Sequence, residues 1–235
     1  MNAFAAAQIP AALRRLRRET DMFLATADSL SEDELRGPSK CEGWTRAHVV
    51  THVARNADAF CNLVEWARTG VEKPGYTSPE ARDAEIEDGA TRPGAEIKAD
   101  ARAACERFAQ AAKQLRTELV TEEVKIGSGP VPARGLLAVR MTEVLVHHDD
   151  LDTVWTLAEA GPDAQLDVLE EAVRRLRARD DVPAFSIRTL EEDEWTFGEG
   201  GPLVRGERAG VIAWITRNVT AGVSCDRELS NVSMF

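Results

Sequence analysis

The stretch LLAVRMTEVLVHHDDL, residues 136–151, decides how this chain is read. Its apolar residues recur at helical spacing and predict a helix from about Pro132 to Leu157, with Gly161-Pro162 just past its end. At about 100° per residue, with Leu136 as zero, Val154 returns to about 0°, Leu151 falls at about 60° and Val144 at about 80°. On that arithmetic Glu143 sits at about 340°, His147 at about 20°, Arg140 at about 40° and Asp150 at about 320°. Four ionisable side chains therefore point toward the apolar side. A bare carboxylate is costly to bury, so Glu143 must be paired or bound to a metal. Glu143 and His147 are four apart, so their side chains meet on one face.

Working outward, three more helices are legible: about Pro10 to Leu30, Trp44 to Gly70, and Pro93 to Leu119. Four long helices with one apolar face each predict an antiparallel bundle. The second carries His48 and His52 in GWTRAHVVTHVARN, residues 43–56. Val49, Val53, Ala57 and Phe60 define its apolar face. His52 borders that face beside Asn56 and Leu63, and His48 lies further round. His52 is thus the candidate to reach across to Glu143 and His147. All four histidines of the chain lie in these two stretches.

Two readings of the trio stand on pattern alone. It is a metal site, or it is a buried Glu-His-Arg network that only stabilises the bundle. As a metal site, three protein ligands leave coordination positions open, which is a catalytic arrangement. Two imidazoles and a carboxylate suit zinc, and the same set can hold iron or nickel. His148, Asp149 and Asp150 are placed to give supporting hydrogen bonds, although Asp149 reads more simply as a solvated side chain.

The segment from Gly70 to Gly94 is punctuated by prolines and glycines and predicts a long connection with a short helix at Pro79 to Glu87. It holds Tyr76, the chain's one tyrosine, and Arg82. After Pro162 the pattern changes to a charged helix from Asp163 to Arg179 and strands at Phe185 to Leu190 and Glu194 to Phe197. A short strand at Leu203-Val204, a helix from Glu207 to Arg217 and a strand at Val223 to Cys225 follow. The expected architecture is mainly α: a four-helix bundle over residues 1–160 and a small α+β domain over 161–235.

The net charge of -11 argues against nucleic acid as a partner, and the run Arg14, Arg15, Arg17, Arg18 reads as a solvated helix face. No apolar stretch approaches the ~20 residues of a membrane span. Arg14 to Arg18 interrupt any apolar leader. The four cysteines form no CxxC pair. A cytoplasmic protein with free thiols is expected.

At these residues the chain resembles the mycothiol-dependent maleylpyruvate isomerases, within the wider DinB-like family of metal-binding bundles. GWTRAHVVTHVARNADAFCNLVEWARTG (43–70) looks like that family's second helix, and PGYTSPEARDAEIEDG (74–89) like the loop after it. RMTEVLVHHDDL (140–151) resembles the helix that completes the metal site. AGVIAWI (209–215) resembles a helix of the C-terminal domain. The resemblance implies zinc on His52, Glu143 and His147, with mycothiol as the thiol cofactor. Tyr76 and Asn62 are the candidate thiol-binding residues. The implied reaction turns maleylpyruvate into fumarylpyruvate on the gentisate route of aromatic catabolism. An activated thiolate adds to the cis alkene, the resulting single bond rotates, and elimination gives the trans isomer. The substrate is a dicarboxylate, so arginine forks are expected. Arg82 and Arg140 match arginines of the family pattern. A third, at the end of the AGVIAWI helix, follows a glycine in the family, whereas this chain reads Arg217-Asn218 there. Arg217 is the candidate for that role, and the C-terminal domain is expected to contribute to the active site. The departure keeps open a mycothiol S-transferase acting on other electrophiles. A binding module with no catalysis is the remaining alternative.

Overall fold

The computed structural model describes residues 6–127, 129–227 and 231–233. It forms two compact units, one ending at Trp155 and the other beginning at Thr156. The first unit holds helices α1 (Ile9–Ser29), α2 (Glu32–Arg36), α3 (Arg46–Thr69), α4 (Pro79–Ala90), α5 (Gly94–Ala111) and α6 (Leu136–Asp150). A hairpin of β1 (Glu123–Ile126) and β2 (Gly129–Pro132) precedes α6. Helices α1, α5, α3 and α6 pack in a ring, each against the next, as the bundle pattern requires.

Each long helix has a local reason to begin and end. In α1, Pro10 stands in the first turn, where its missing N–H is harmless, and Ile9, Ala12, Leu16, Phe23 and Ala27 form its buried stripe. Helix α2 opens on a capping box between Ser31 and Glu34. Helix α3 opens on a variant of that box: the Thr45 hydroxyl and backbone N–H both meet His48 Nδ1, at 2.7 and 3.2 Å. It stops at Gly70, whose φ of 73° is left-handed and open to glycine.

Helix α6 is buried on nearly every side, so its polar residues are held inside the bundle. It ends sooner than its periodicity suggests. Asp152 adopts a left-handed φ of 51°, which an aspartate tolerates, and the Arg46 guanidinium binds the carbonyls of Leu151 and Asp152. Val154, counted from sequence into the apolar stripe, lies beyond the helix and is fully exposed at 100%. The chain then folds back so that Trp155 stacks on His148, with ring centroids 3.7 Å apart.

His148 is fixed between Trp155, the edge of Phe23 and the Thr26 hydroxyl at 2.7 Å, which pins the end of α6 to α1. Burial pushes its pKa down to about 3, from 6.5. Between those values the unfolded chain binds a proton that the folded chain refuses. Stability therefore rises with pH across that window, by at most on the order of 1.4 kcal/mol per unit, and is lost as pH falls through it. His148→Phe, compared with the parent as metal-free protein over about pH 4 to 7, is expected to flatten the Tm profile by this contribution. An unchanged slope contradicts the assignment.

The second unit contains α7 (Pro162–Arg177), β3 (Phe185–Thr189), β4 (Glu194–Phe197), β5 (Leu203–Gly206), α8 (Arg208–Arg217) and β6 (Val223–Cys225). Its sheet order is β4-β3-β5-β6, with β3 and β5 parallel and the outer pairs antiparallel. Phe185, Ile187, Phe197 and Val204 are buried in a small core, where the Phe185 ring stacks on Phe197 and meets Trp214 edge to face. Gly210 permits a close approach, because a Cβ there would lie 2.3 Å from the Gly222 carbonyl oxygen. This unit begins before Leu157–Glu159, a 3-10 turn that packs against α8. None of the described helices is long and apolar enough to cross a membrane.

Candidate metal centre

Helices α3 and α6 pack together and bring His52, Glu143 and His147 to one buried layer, with exposures of 3, 8 and 4%. Glu143 Oε2 lies 3.1 Å from His52 Nε2 and 3.6 Å from His147 Nε2. One oxygen and two nitrogens, one from each residue, lie within 4.8 Å of one another. The two imidazoles meet edge to face, with centroids 4.5 Å apart. This convergence of two Nε2 atoms on one carboxylate oxygen is the donor set a divalent cation takes, and it fits one.

The electrostatics agree. Burial works against the Glu143 carboxylate, yet its hydrogen bonds with His147 and His52 hold it well below the usual range, so it stays anionic. Burial and the neighbouring His147 push His52 down to about 4. Burial also opposes charge on His147, but hydrogen bonds to Asp150, Cys41 and Glu143 outweigh it and raise that group to about 10. The metal-free layer thus keeps a proton where a cation would otherwise balance Glu143.

Support comes from a short loop that sequence reasoning passed over. Pro38 and Thr45 bridge across it, Gly43 takes φ of 76°, and the Lys40 N–H donates to the Asp150 carbonyl. The loop sets Cys41 Sγ 3.2 Å from Asp150 Oδ2, and Asp150 in turn lies 2.8 Å from His147 Nδ1. A carboxylate on Nδ1 directs the Nε2 lone pair of a neutral His147 at the shared layer. Of the three supporting candidates named from sequence, Asp150 plays this part. His148 serves the α1 contact instead, and Asp149 pairs with Lys40 at 2.9 Å. Cys41, His147 and Asp150 also form a second donor group. Trp44, in the same loop, places its ring against His48, His52 and His147 with centroid distances of 6.3, 5.5 and 6.5 Å. A tryptophan just before a helix N-cap was the one available signal.

The other sequence candidates separate. His48 caps α3 and reaches Glu87 at 3.2 Å, outside the trio as expected. Arg82, on α4, brings Nη2 to 3.4 Å from His52 Nδ1 and lies over the Trp44 ring at 5.9 Å. The Tyr76 hydroxyl is buried with no hydrogen-bond partner among the described residues, and burial raises its pKa. Asn62 donates to the Gly75 carbonyl at 3.4 Å and so holds the backbone beside Tyr76. Arg140 is 1% exposed and directs its guanidinium to Asn56 Oδ1 and Cys105 Sγ. Arg217 is the last residue of α8 in the second unit, and Asn218 closes that helix with a left-handed φ of 54°.

Comparison with known proteins places these observations. Residues 16–152, which include every residue of the trio, match the family described as mycothiol maleylpyruvate isomerase N-terminal domain. Two uncharacterised proteins of Mycobacterium tuberculosis, from strains CDC 1551 / Oshkosh and H37Rv, are each 31% identical over 163 residues. The match spans 69% of this chain and 74% of theirs. The fold matches the crystal structures of the mycothiol-dependent maleylpyruvate isomerase and of its H52A mutant. Each superposes with a TM-score of 0.84 at 27% identity, covering 95% of both chains. With the match spanning more than half its length and carrying the buried His-Glu-His layer, the chain belongs to the mycothiol maleylpyruvate isomerase family.

Proposed function

We propose that this chain is a mycothiol-dependent cis–trans isomerase that converts maleylpyruvate to fumarylpyruvate, acting in the cytoplasm on the gentisate route. The observation that carries the reading is the convergence of His52, Glu143 and His147 in one buried layer. These three residues would hold a divalent metal, zinc by their donor chemistry, and such a metal supplies Lewis-acid activation that makes a thiol a thiolate at neutral pH.

The chain's own residues supply the rest. Asp150 holds His147 in the tautomer the site needs. Opening the cis double bond to rotation moves negative charge onto the substrate's carbonyl oxygen, so donors are required there. The Tyr76 hydroxyl, buried without a partner among the described residues, is one such donor. Arg82 is a second cation beside the layer, and its planar fork suits a carboxylate of the substrate. Trp44 covers the imidazoles and keeps water from them. Asn62 positions the Tyr76 segment through Gly75. In this reading Arg217 pairs with the substrate's other carboxylate.

Arg217 carries the sharpest departure from the family pattern, and it also motivates a second reading, mycothiol S-transfer to other electrophiles at the same site. The helix ends at Arg217 because Asn218 takes the left-handed capping position that glycine usually fills. Arg217→Ala is expected to lower isomerase turnover by about tenfold or more, the scale of one hydrogen bond to a charged group. Metal content and Tm should stay unchanged, and Arg217→Lys should recover little. Near-normal turnover would reduce Arg217 to a helix-end charge. The two readings part in one experiment: maleylpyruvate and a panel of thiol-reactive electrophiles, each assayed with mycothiol. Isomerisation of maleylpyruvate well above transfer to any electrophile is the expected outcome, and the reverse order overturns it.

A further inference from the structure

The bundle contains a cavity that none of the three metal-layer residues lines. It has a volume of about 330 Å³ and lies between α1 and α5, with Arg140 of α6 among its lining residues. Leu13, Leu16, Leu24 and Phe108 supply apolar wall. Its other charged lining residues, Arg14, Arg17, Arg102, Lys113, Asp21 and Glu106, are all exposed, so Arg140 is the one buried charge among them.

The direct partners of Arg140 carry no counter-charge. Its hydrogen-bond partners are the Asn56 amide oxygen and the Cys105 sulfur, at 2.5 and 3.5 Å. Asn56 is neutral, and burial raises the Cys105 thiol, so that partner is neutral as well. The Phe108 ring, 5.9 Å from the guanidinium carbon, offers only its quadrupole. No carboxylate of the described residues forms an ion pair with Arg140. A guanidinium taken out of water without a counter-anion is strongly unfavourable, and a cavity at its side gives an anion a way to reach it. At the rim, Arg17 pairs with Asp21 and Glu106 and Arg102 with Asp28, so with Arg14 and Lys113 four cations face three carboxylates in a chain whose net charge is -11.

We propose that this cavity binds a small monocarboxylate with an apolar body, carboxylate inward on Arg140 and hydrocarbon against the leucines and Phe108. At the ~30 Å³ a water molecule occupies in the liquid, the volume holds about ten non-hydrogen atoms, the size of octanoate. The site lies apart from the residues assigned to the metal layer, and its occupancy is independent of that layer's function.

Calorimetric titration of the purified full chain with octanoate, and with octanol as its uncharged counterpart, tests this. One saturable octanoate site is expected, with octanol at least about tenfold weaker, the scale of a hydrogen bond to a charged group. Arg140→Met should bring the two ligands to similar affinity. Ala109→Trp fills the cavity from its half-buried wall, so a folded variant with an unchanged Tm should bind neither. His52→Ala should bind octanoate as the parent does, which separates this cavity from a carboxylate bound at the metal layer. Absence of saturable binding, equal binding of octanoate and octanol by the parent, retention in Ala109→Trp, or loss in His52→Ala overturns the proposal.

Discussion

Changing His52, Glu143 or His147 to alanine is expected to remove the bound metal and to lower isomerase turnover by more than the about 100-fold that loss of an outer hydrogen-bonding partner costs a metal site. The reason is geometric. Each residue gives one of the three donor atoms that lie within 4.8 Å of one another, and Glu143 supplies the only negative charge among them. Glu143→Gln sharpens the test. It keeps the size and hydrogen-bonding reach of the side chain but removes the anion that favours a cation. Elemental analysis should find about one divalent metal per chain in the parent and His48→Ala, and far less in the four ligand variants. His48 serves the helix cap and Glu87, so its loss should touch stability before it touches metal. Full metal content in any ligand variant would remove that residue from the set.

Arg82→Ala is expected to lower kcat/KM for maleylpyruvate by about 100-fold while metal content stays at the parent's level, the scale of losing one charged transition-state donor. Arg82 reaches the layer from the long connection, 3.4 Å from His52 Nδ1 and over Trp44, and its side chain is 33% exposed. That combination suits a group that meets a ligand arriving from solvent. Arg82→Lys should recover little, because an ammonium cannot reproduce a planar fork. Steady-state kinetics together with metal analysis separates this role from a structural one. If metal is lost in parallel with activity, Arg82 acts by holding His52 and not by gripping substrate.

Much of the bundle and of the site was legible because both rest on helical periodicity. Glu143 and His147 are four apart on a helix whose interior side was evident, and His52 borders the apolar face of α3, so three buried donors could be named before any coordinates. Periodicity does not report where a helix stops. Val154 completes the α6 pattern in sequence, yet Asp152 and the Arg46 guanidinium end that helix earlier. The β1–β2 hairpin was missed because Pro130 and Pro132 in β2 weaken any strand signal. Trp44 and Cys41 were missed because a loop positions them, and loop geometry leaves no periodic trace. Arg140 shows the limit from the other side. Its angular position put it on the core face, but only packing reveals that it meets Asn56 and Cys105 and lines the cavity between α1 and α5.

The most direct test of the central claim is the rate of fumarylpyruvate formation from maleylpyruvate in four parallel reactions, with metal present or chelated and with mycothiol present or absent. Turnover confined to the reaction that contains both metal and mycothiol is the predicted result. Equal turnover after removal of either one would contradict it.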